Sequence, residues 1–246
     1  MGDDSGDRSG LRADRLCKTF DGREVVKSVS LHLARGEVAA LLGPNGAGKT
    51  TCFYMITGLI AADSGTILLD GQDITGMPMY ERARHGLGYL PQETSIFPGL
   101  TVEQNIMAIV EMRVGDRRRD REITEELLTE LGLRSLRDVA GGVLSGGELR
   151  RAEIARALAS DPTFMLLDEP FAGVDPLGVD GVRDAILFLK RRGLGVLITD
   201  HDVHATLEIS DRVSILCDGA MLFEGTPDAA LRDPDMRRLY LGEDFK

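Results

Sequence analysis

Hydrophobic and polar positions alternate along the first part of the chain. Residues 11–20, 23–26 and 29–33 follow this pattern, and Asp21 and Gly22 separate the first two segments. Such alternation is typical of half-buried strands, and an Asp-Gly pair between two strands predicts a hairpin turn. We therefore expect the chain to begin with antiparallel strands.

Further along, the apolar positions form continuous runs. These runs lie at residues 38–42, 87–90, 163–168 and 195–199. Continuous apolar runs are typical of parallel strands that are buried on both faces of a sheet. Helix-compatible segments at 52–57 and 179–189 follow two of these runs. The alternation of buried strand and helix predicts an α/β fold.

Between residues 102 and 136 the apolar positions recur at helical spacing and no strand signal is present. The basic run at 116–122 is laced with acids, and we interpret it as a solvated helix face, not a nucleic-acid site. We therefore expect a helical subdomain inserted in an α/β core. The predicted units are a disordered tail (1–10) and a single domain (11–246), with its core at 11–91 and 160–246 and the helical subdomain at 92–159.

Composition narrows the classes of partner. The chain has 29 basic and 40 acidic residues, a net charge of −11, which is a poor match for DNA, RNA or an anionic lipid surface. Its longest nearly apolar run, 53–62, is too short to span a bilayer, so work at a membrane requires another chain to supply the span. Cys17, Cys52 and Cys217 lack metal-ligand spacing, which predicts a reduced cytoplasmic location.

The most specific motif is a glycine-rich stretch between the strand at 38–42 and the helix-compatible run after it. It has the P-loop spacing and consists of Gly43, Pro44, Asn45, Gly46, Ala47, Gly48, Lys49, Thr50 and Thr51. Its glycines let backbone N–H groups approach phosphate oxygens, and the following helix adds its positive end. Lys49 is placed to reach the β- and γ-phosphates of a nucleotide, and the Thr50 hydroxyl to ligate Mg²⁺.

Two adjacent acids end a buried strand. Asp168 fits a Walker-B metal ligand that works with Thr50, and Glu169 is the candidate general base that polarises the attacking water. Because unpaired buried charge is costly, two acids at this position indicate chemistry. His201 follows the next apolar strand and has two interpretations, a contact to the γ-phosphate or a cap for the next helix.

Other positions each allow a structural and a functional interpretation. Phe20 is either an ordinary strand aromatic or a platform that stacks on adenine. Gln92 is either a loop residue or a group that ligates metal or a water at the ligand-binding edge of the sheet. Phe97 is either tucked under its loop or, if exposed, a partner contact. Ser145 and Glu148 form a helix capping box, and the same glycine-rich helix start is also a candidate anion site.

Together these motifs resemble the ABC-type ATPase family. The P-loop, Gln92, the Leu-Ser-Gly-Gly-Glu stretch at 144–148, the acid pair and His201 occur in the order of an ABC cassette, and the resemblance covers nearly the whole chain from Leu11. It implies an ABC-type nucleotide-binding domain with a RecA-like P-loop core, an antiparallel β subdomain and an inserted α-helical subdomain. ATP and Mg²⁺ are the implied cofactors.

The resemblance also implies roles for single residues. Phe20 would stack on adenine with Val26 beside it, Glu169 would be the base and His201 the γ-phosphate switch. Gln92 would be a catalytic residue and metal ligand that links the site to a transmembrane partner. A further set would serve the ATP site of the opposite protomer: Ser145, Gly146, Gly147, Glu148 and Asp175.

Within the family, the chain resembles the branch that powers lipopolysaccharide export in Gram-negative bacteria. The matching segments are 53–55, 88–93, 95–97, 169–176, 195–201 and the ending at 240–245. This implies a homodimer on the cytoplasmic face of the inner membrane, with Phe97 contacting two transmembrane permease subunits, membrane contact only through them, and no nucleic acid. The alternatives are a branched-chain amino-acid importer ATPase, a non-transport ABC protein and a regulator without hydrolysis.

Overall fold

The computed structural model describes residues 9–233, in which strands and helices alternate after an initial hairpin. The elements are β1 (Leu11–Phe20), β2 (Arg23–Leu33), β3 (Val38–Leu42), α1 (Lys49–Thr57), β4 (Ser64–Leu69), β5 (Gln72–Asp73), α2 (Met79–Arg84), β6 (Leu87–Leu90), α3 (Val102–Arg113), α4 (Arg117–Glu130), α5 (Gly146–Leu158), β7 (Phe164–Asp168), α6 (Pro176–Arg191), β8 (Gly195–Thr199), α7 (Val203–Ile209), β9 (Arg212–Cys217), β10 (Ala220–Gly225) and α8 (Pro227–Arg232). Short 3-10 turns lie at Arg134–Leu136 and Gly141–Val143. The mixed α/β fold class is confirmed.

The first sheet is antiparallel and has the strand order β2-β1-β4-β5. Asp21 and Gly22 both have positive φ, 48° and 77°, which is the backbone of the predicted tight hairpin. The expectation of two strands at 23–26 and 29–33 is wrong, because β2 is continuous. Ser28 has a φ of 55°, and the β1–β2 register shifts near this position. A β-bulge here interrupts the alternation of apolar and polar residues without ending the strand.

The second sheet holds the nucleotide motifs along one edge. Its order is β10-β9-β3-β8-β7-β6, and all neighbours are parallel except the β9–β10 hairpin. The P-loop, Gln92, Glu169 and His201 follow β3, β6, β7 and β8. Because the carboxyl ends of parallel strands share one edge, this topology gathers the four motifs in one place.

Helices α3, α4 and α5 form the predicted helical region. Its apolar residues, including Ile106 and Leu128, join one buried cluster with Leu90 and Val196 of the parallel sheet. The interpretation of 116–122 as a wholly solvated face is wrong at Asp120, which is 3% exposed. Helical periodicity turns this residue inward while its neighbours stay in solvent. The division of the chain at 92 and 159 stays a prediction.

Both ends of the sequence lie outside the described residues. The predicted tail at 1–10 falls largely there, and the ending at 240–245 falls there completely. Gly10 is described, and its backbone N–H donates to Asp70 Oδ1 at 2.9 Å, so the hydrogen-bonded structure includes the last residue of the predicted tail. No helix within residues 9–233 is long and apolar enough to cross a membrane.

Candidate active site

The P-loop connects β3 to α1 in a conformation that depends on glycine. Gly43, Gly46 and Gly48 have φ values of 146°, 78° and 104°, which side-chain-bearing residues rarely adopt. A Cβ on Gly43 would lie 2.1 Å from the carbonyl oxygen of Leu216 in β9. Glycine is therefore required at this position by the close approach of two backbones.

Lys49 closes the P-loop on itself. Its Nζ donates to the carbonyl oxygens of Gly43 at 2.7 Å and Pro44 at 3.1 Å, and the side chain is buried. Burial lowers the pKa of the ammonium, and the nearby carboxylates of Glu169 and Asp168 act in the opposite direction. A buried cation thus lies between the phosphate-binding loop and the acid pair.

A cavity of about 210 Å³ joins the P-loop to the other predicted groups. It is lined by Val25, Asn45, Gly46, Ala47, Gly48, Lys49, Thr50, Thr51, Glu169 and His201. Glu169 and His201 come from the ends of β7 and β8, so the sheet topology has brought three separate motifs to one cavity. This arrangement can hold an anionic ligand between the loop amides and a carboxylate–imidazole pair.

The two residues expected to contact adenine have different positions. Phe20 ends β1 with 44% of its surface exposed, and Lys18 Nζ lies 5.5 Å from its ring centre, so the ring is available for stacking. Val26 is fully buried in the core below the P-loop. The assignment of Val26 is therefore wrong, because strand alternation turns it inward, and its neighbour Val25 lines the cavity.

Asp168 lies at the end of β7 with its carboxylate buried among hydroxyl groups. Thr199 Oγ1 donates to Asp168 Oδ1 at 2.7 Å, and the hydroxyl of Tyr89 lies 3.4 Å from Oδ2. Burial is the main cause that raises the pKa of Tyr89, followed by the charge of Asp168. No motif pointed to Tyr89 or Thr199 as site residues, since each contacts the acid from a neighbouring strand.

Glu169 forms hydrogen bonds with two of the predicted site residues. Gln92 Nε2 donates to Glu169 Oε2 at 2.7 Å, and His201 Nε2 lies 2.7 Å from Glu169 Oε1. Gln92 lies in the loop after β6 and contacts the candidate base. The interpretation of His201 as a helix cap is wrong, because Asp202 caps α7 by accepting from the Ala205 N–H. Glu169 also has a φ of 48°, and such strained backbone is concentrated at functional sites.

The stretch at 144–148 lies on a different surface. Glu148 Oε2 accepts from the N–H and the hydroxyl of Ser145, at 2.9 and 2.8 Å, which confirms the capping interaction. A Cβ on Gly146 would lie 2.4 Å from the Gly173 carbonyl oxygen, so α5 starts against the segment that carries Asp175. The five residues assigned to the opposite protomer, Ser145, Gly146, Gly147, Glu148 and Asp175, are absent from the lining of the P-loop cavity.

Known proteins resemble this chain in sequence, and solved structures resemble it in fold. The family described as ABC transporter matches residues 26–172. A probable ABC transporter ATP-binding protein of Azorhizobium caulinodans is 56% identical over 96% of this chain and 84% of its own length. The lipopolysaccharide export system ATP-binding proteins LptB of Haemophilus influenzae and Escherichia coli are each 51% identical over 96% of this chain and 98% of theirs. This chain belongs to the ABC transporter family.

The structural neighbours agree with that assignment. A nucleotide-free ATP-binding cassette of an ABC transporter aligns with a TM-score of 0.82 and 29% identity, covering 95% of this chain and 99% of its own. An ATP-binding cassette in its ADP conformation gives 0.82 and 30%, with 95% and 98% covered. This ABC protein is therefore an ATP-binding subunit with ATPase activity.

Sequence reasoning missed a buried ion pair of this ABC protein. Arg150 of α5 donates to the carbonyl oxygens of Asp168 and Glu169 at 3.0 and 2.8 Å, and to Glu153 at 2.9 Å. Glu153 Oε1 in turn accepts from the Ser95 N–H at 2.5 Å. The available signal was the helical spacing of Arg150 with Ile154 and Leu158, which places a charge on an apolar stripe.

The loop at 95–100 exposes an aromatic ring to solvent. Phe97 is 49% exposed, and Arg156 lies over its ring at 5.2 Å, so the expectation that it is tucked under the loop is wrong. The buried side chain of Asn105 accepts from the Phe97 N–H at 2.8 Å and donates to its carbonyl oxygen at 3.1 Å. An exposed aromatic ring on a fixed backbone is a suitable protein contact.

Proposed function

We propose that this chain is the ATPase subunit of a transporter that extracts lipopolysaccharide from the inner membrane for export. The observation that carries the proposal is the 51% identity to two LptB proteins over 96% of this chain and 98% of theirs. The more similar relative from Azorhizobium caulinodans has a name that specifies no substrate, which is compatible with lipopolysaccharide export. A full-length match favours the same partners as well as the same catalytic domain.

The proposed assembly is a homodimer beneath two transmembrane permease subunits on the cytoplasmic face of the inner membrane. Membrane contact occurs only through those subunits, and the net charge of −11 is consistent with a protein that binds neither nucleic acid nor anionic lipid. Phe97 is the proposed partner contact. The fixed loop around it is continuous with Ser95, which the Arg150–Glu153 pair connects to Glu169.

Each ATP site is proposed to use both protomers. One protomer supplies Phe20, Val25 and the P-loop, and the other supplies its 145–148 stretch and Asp175. The support is that the 145–148 stretch and Asp175 do not line the P-loop cavity, whose lining consists of Val25, P-loop residues, Glu169 and His201. The bare amides at the start of α5 suit an anionic phosphate. ATP therefore joins the two protomers, and loss of the γ-phosphate releases them.

The residues also fit a magnesium ion held jointly with the nucleotide. Thr50, Gln92 and Asp168 offer the hydroxyl, amide and carboxylate oxygens that Mg²⁺ prefers, and the buried carboxylate of Asp168 has hydroxyl partners. Within residues 9–233 no three His, Cys, Asp or Glu side chains cluster as a metal site, which suits an ion that keeps water and phosphate ligands. The ion would neutralise charge that develops on the phosphates.

The catalytic roles proposed here follow from the contacts of Glu169. Its carboxylate, 2.7 Å from both Gln92 Nε2 and His201 Nε2, orients the attacking water and takes its proton. Lys49 binds the β- and γ-phosphates. His201 responds to the γ-phosphate, and Gln92 carries the change toward the loop at 95–100.

The test is affinity purification of the tagged protein from solubilised membranes of its source, with the co-purifying chains identified. We expect the two lipopolysaccharide-export permease subunits. Phe97→Ala should lose them and keep its basal ATPase activity, whereas Tyr80→Ala, which removes another exposed aromatic ring, should retain them. Recovery of amino-acid permease subunits would contradict lipopolysaccharide as the substrate. Recovery of soluble partners alone would contradict a role in transport.

A further inference from the structure

Two buried polar residues directly precede His201. Thr199 ends β8 with 1% of its surface exposed, and Asp200 follows with 3%. Neither belongs to the P-loop, the acid pair or the 144–148 stretch. Burial of a hydroxyl and a carboxylate at this point calls for a role, because buried polar groups stabilise a fold only when they are hydrogen bonded.

Thr199 holds the acid pair through two different groups. Its Oγ1 donates to Asp168 Oδ1 at 2.7 Å, and its carbonyl oxygen accepts from the Glu169 N–H at 2.8 Å. The second bond fixes the backbone at the point where Glu169 adopts a φ of 48°. A backbone conformation of this kind persists only where the surrounding contacts over-determine it.

Asp200 connects the loop after Glu169 to the loop that carries His201. Its Oδ2 accepts from the Phe171 N–H at 2.9 Å, and its Oδ1 accepts from the Asp202 N–H at 2.8 Å. Burial raises the pKa of this carboxyl group, and its backbone donors oppose that rise. The carboxylate thus spans two segments, one starting at the candidate base and one at the candidate switch.

We propose that Thr199 and Asp200 are positioning residues that hold Asp168, Glu169 and His201 in one arrangement. Thr199 acts through Asp168 and the Glu169 backbone, and Asp200 acts through the amides of Phe171 and Asp202. The proposal rests on the catalytic roles given above to Glu169 and His201. It agrees with the 2.7 Å contact between His201 and Glu169, which lie just beyond the paired ends of β7 and β8.

The first test compares a change of Thr199 that removes its hydroxyl group with a change that keeps it. Thr199→Val should lower kcat for ATP hydrolysis about tenfold and change KM by less than about twofold, as expected when only transition-state positioning is lost. It should also reduce the gain in ATP-analogue affinity that Mg²⁺ gives over EDTA. Thr199→Ser keeps the hydroxyl and should restore both. Equal values for the Val and Ser variants would contradict the role of Thr199.

The second test separates positioning from general stability. Asp200→Asn leaves one of the two backbone donors without an acceptor and should lower kcat, whereas Asp202→Asn, the same change one residue beyond His201, keeps a good helix cap and should not. In a His201→Ala background, Asp200→Asn should have little further effect on single-turnover rates. An undiminished effect there, or wild-type kcat for Asp200→Asn, would contradict the role of Asp200.

A control variant distinguishes failure of this inference from failure of the proposed catalytic roles. Glu169→Gln should abolish ATP turnover whether or not Thr199 and Asp200 are positioning residues. If it does so while Thr199→Val and Asp200→Asn hydrolyse ATP like wild type, only the positioning role is overturned. If Glu169→Gln retains normal turnover, the catalytic assignment itself is overturned. Thermal unfolding of each variant shows whether it is folded. If Asp200→Asn is not folded, the comparison of Thr199→Val with Thr199→Ser decides the outcome.

Discussion

At the residue scale, the site is organised by where charge is buried. Lys49 places a cation between the P-loop carbonyls and two carboxylates, and Glu169 is held by Gln92 and His201 in a strained backbone conformation. Lys49, Glu169 and His201 line one cavity with the P-loop, so the groups proposed to bind phosphate and to activate water lie side by side before a ligand binds. Each of these groups can be tested alone.

Lys49→Ala is expected to weaken ATP binding about tenfold to a hundredfold. The reason is the loss of a charge-assisted hydrogen bond, which contributes about 1.5–3 kcal/mol. The measurement is titration with a fluorescent ATP analogue. Lys190→Ala is the matched control, because Lys190 pairs with Asp211 and lies outside the cavity lining. Unchanged affinity in Lys49→Ala would remove the lysine from the phosphate site.

At the level of single residues, the P-loop was recognisable because its spacing along the chain fixes its geometry. The acid pair and His201 were recognisable as polar residues at the ends of apolar strands, and the sheet topology brings Glu169 and His201 to the P-loop cavity. Val26 was misassigned, since a strand's register cannot be set without knowing which face is buried. Thr199 and Tyr89 were missed because their partner, Asp168, lies on another strand.

At the element scale, α5 connects the parts of the site. Its first turn carries Ser145 and Glu148, and its buried face carries Arg150 and Glu153, which hold the backbone after β7 and the loop at Ser95. A helix is a rigid body over this length. Displacement of the start of α5 would therefore move both the backbone after β7 and the loop at 95–100.

Glu148→Gln is expected to destabilise the protein at pH 7 by a few tenths to about 1 kcal/mol, because solvent screens this capping bond. The backbone N–H of Ser145 is the main cause that lowers the pKa of Glu148. The carboxylate therefore contributes stability above the unfolded glutamate pKa of about 4.3, and this contribution is lost as pH falls through the lowered value. Urea unfolding should show that the difference in unfolding free energy between wild type and variant is smaller at pH 3 than at pH 7. A difference of equal size at both pH values would contradict it.

Glu153→Gln is expected to destabilise the protein by about 3 kcal/mol or more, the usual effect of breaking a buried ion pair. Glu153 is 1% exposed and pairs with Arg150 three residues away. Glu122 offers the matched control, since it forms i,i+3 and i,i+4 pairs on the exposed face of α4 and Glu122→Gln should leave the unfolding midpoint near wild type. Equal effects of the two changes would show that the buried pair has no special structural role.

The elements themselves were largely predictable. Strands β3, β7 and β8 are buried along their whole length, as their apolar runs predict. The misjudged features, the continuity of β2 and the burial of Asp120, depend on a bulge and on helix orientation. Both are decided by packing against other elements, which a local pattern does not record.

Across the whole molecule, two surfaces of one chain carry the groups proposed to bind ATP. The carboxyl edge of the parallel sheet carries the P-loop, Glu169 and His201 around one cavity. The start of α5, with Asp175 near it, is the second surface. The two surfaces are proposed to form one ATP site between protomers, so ATP binding and dimer formation are expected to be coupled, and the proposed transmembrane subunits would respond to that closure.

The most direct test of this account is the oligomeric state of Glu169→Gln in the presence of ATP and Mg²⁺, measured by size-exclusion chromatography with light scattering. The account predicts a stable dimer that retains two ATP molecules and releases little phosphate, because the base is missing while both phosphate-binding surfaces are intact. A monomer saturated with ATP would contradict the two-surface site. A dimer that releases phosphate at the wild-type rate would contradict the role of Glu169.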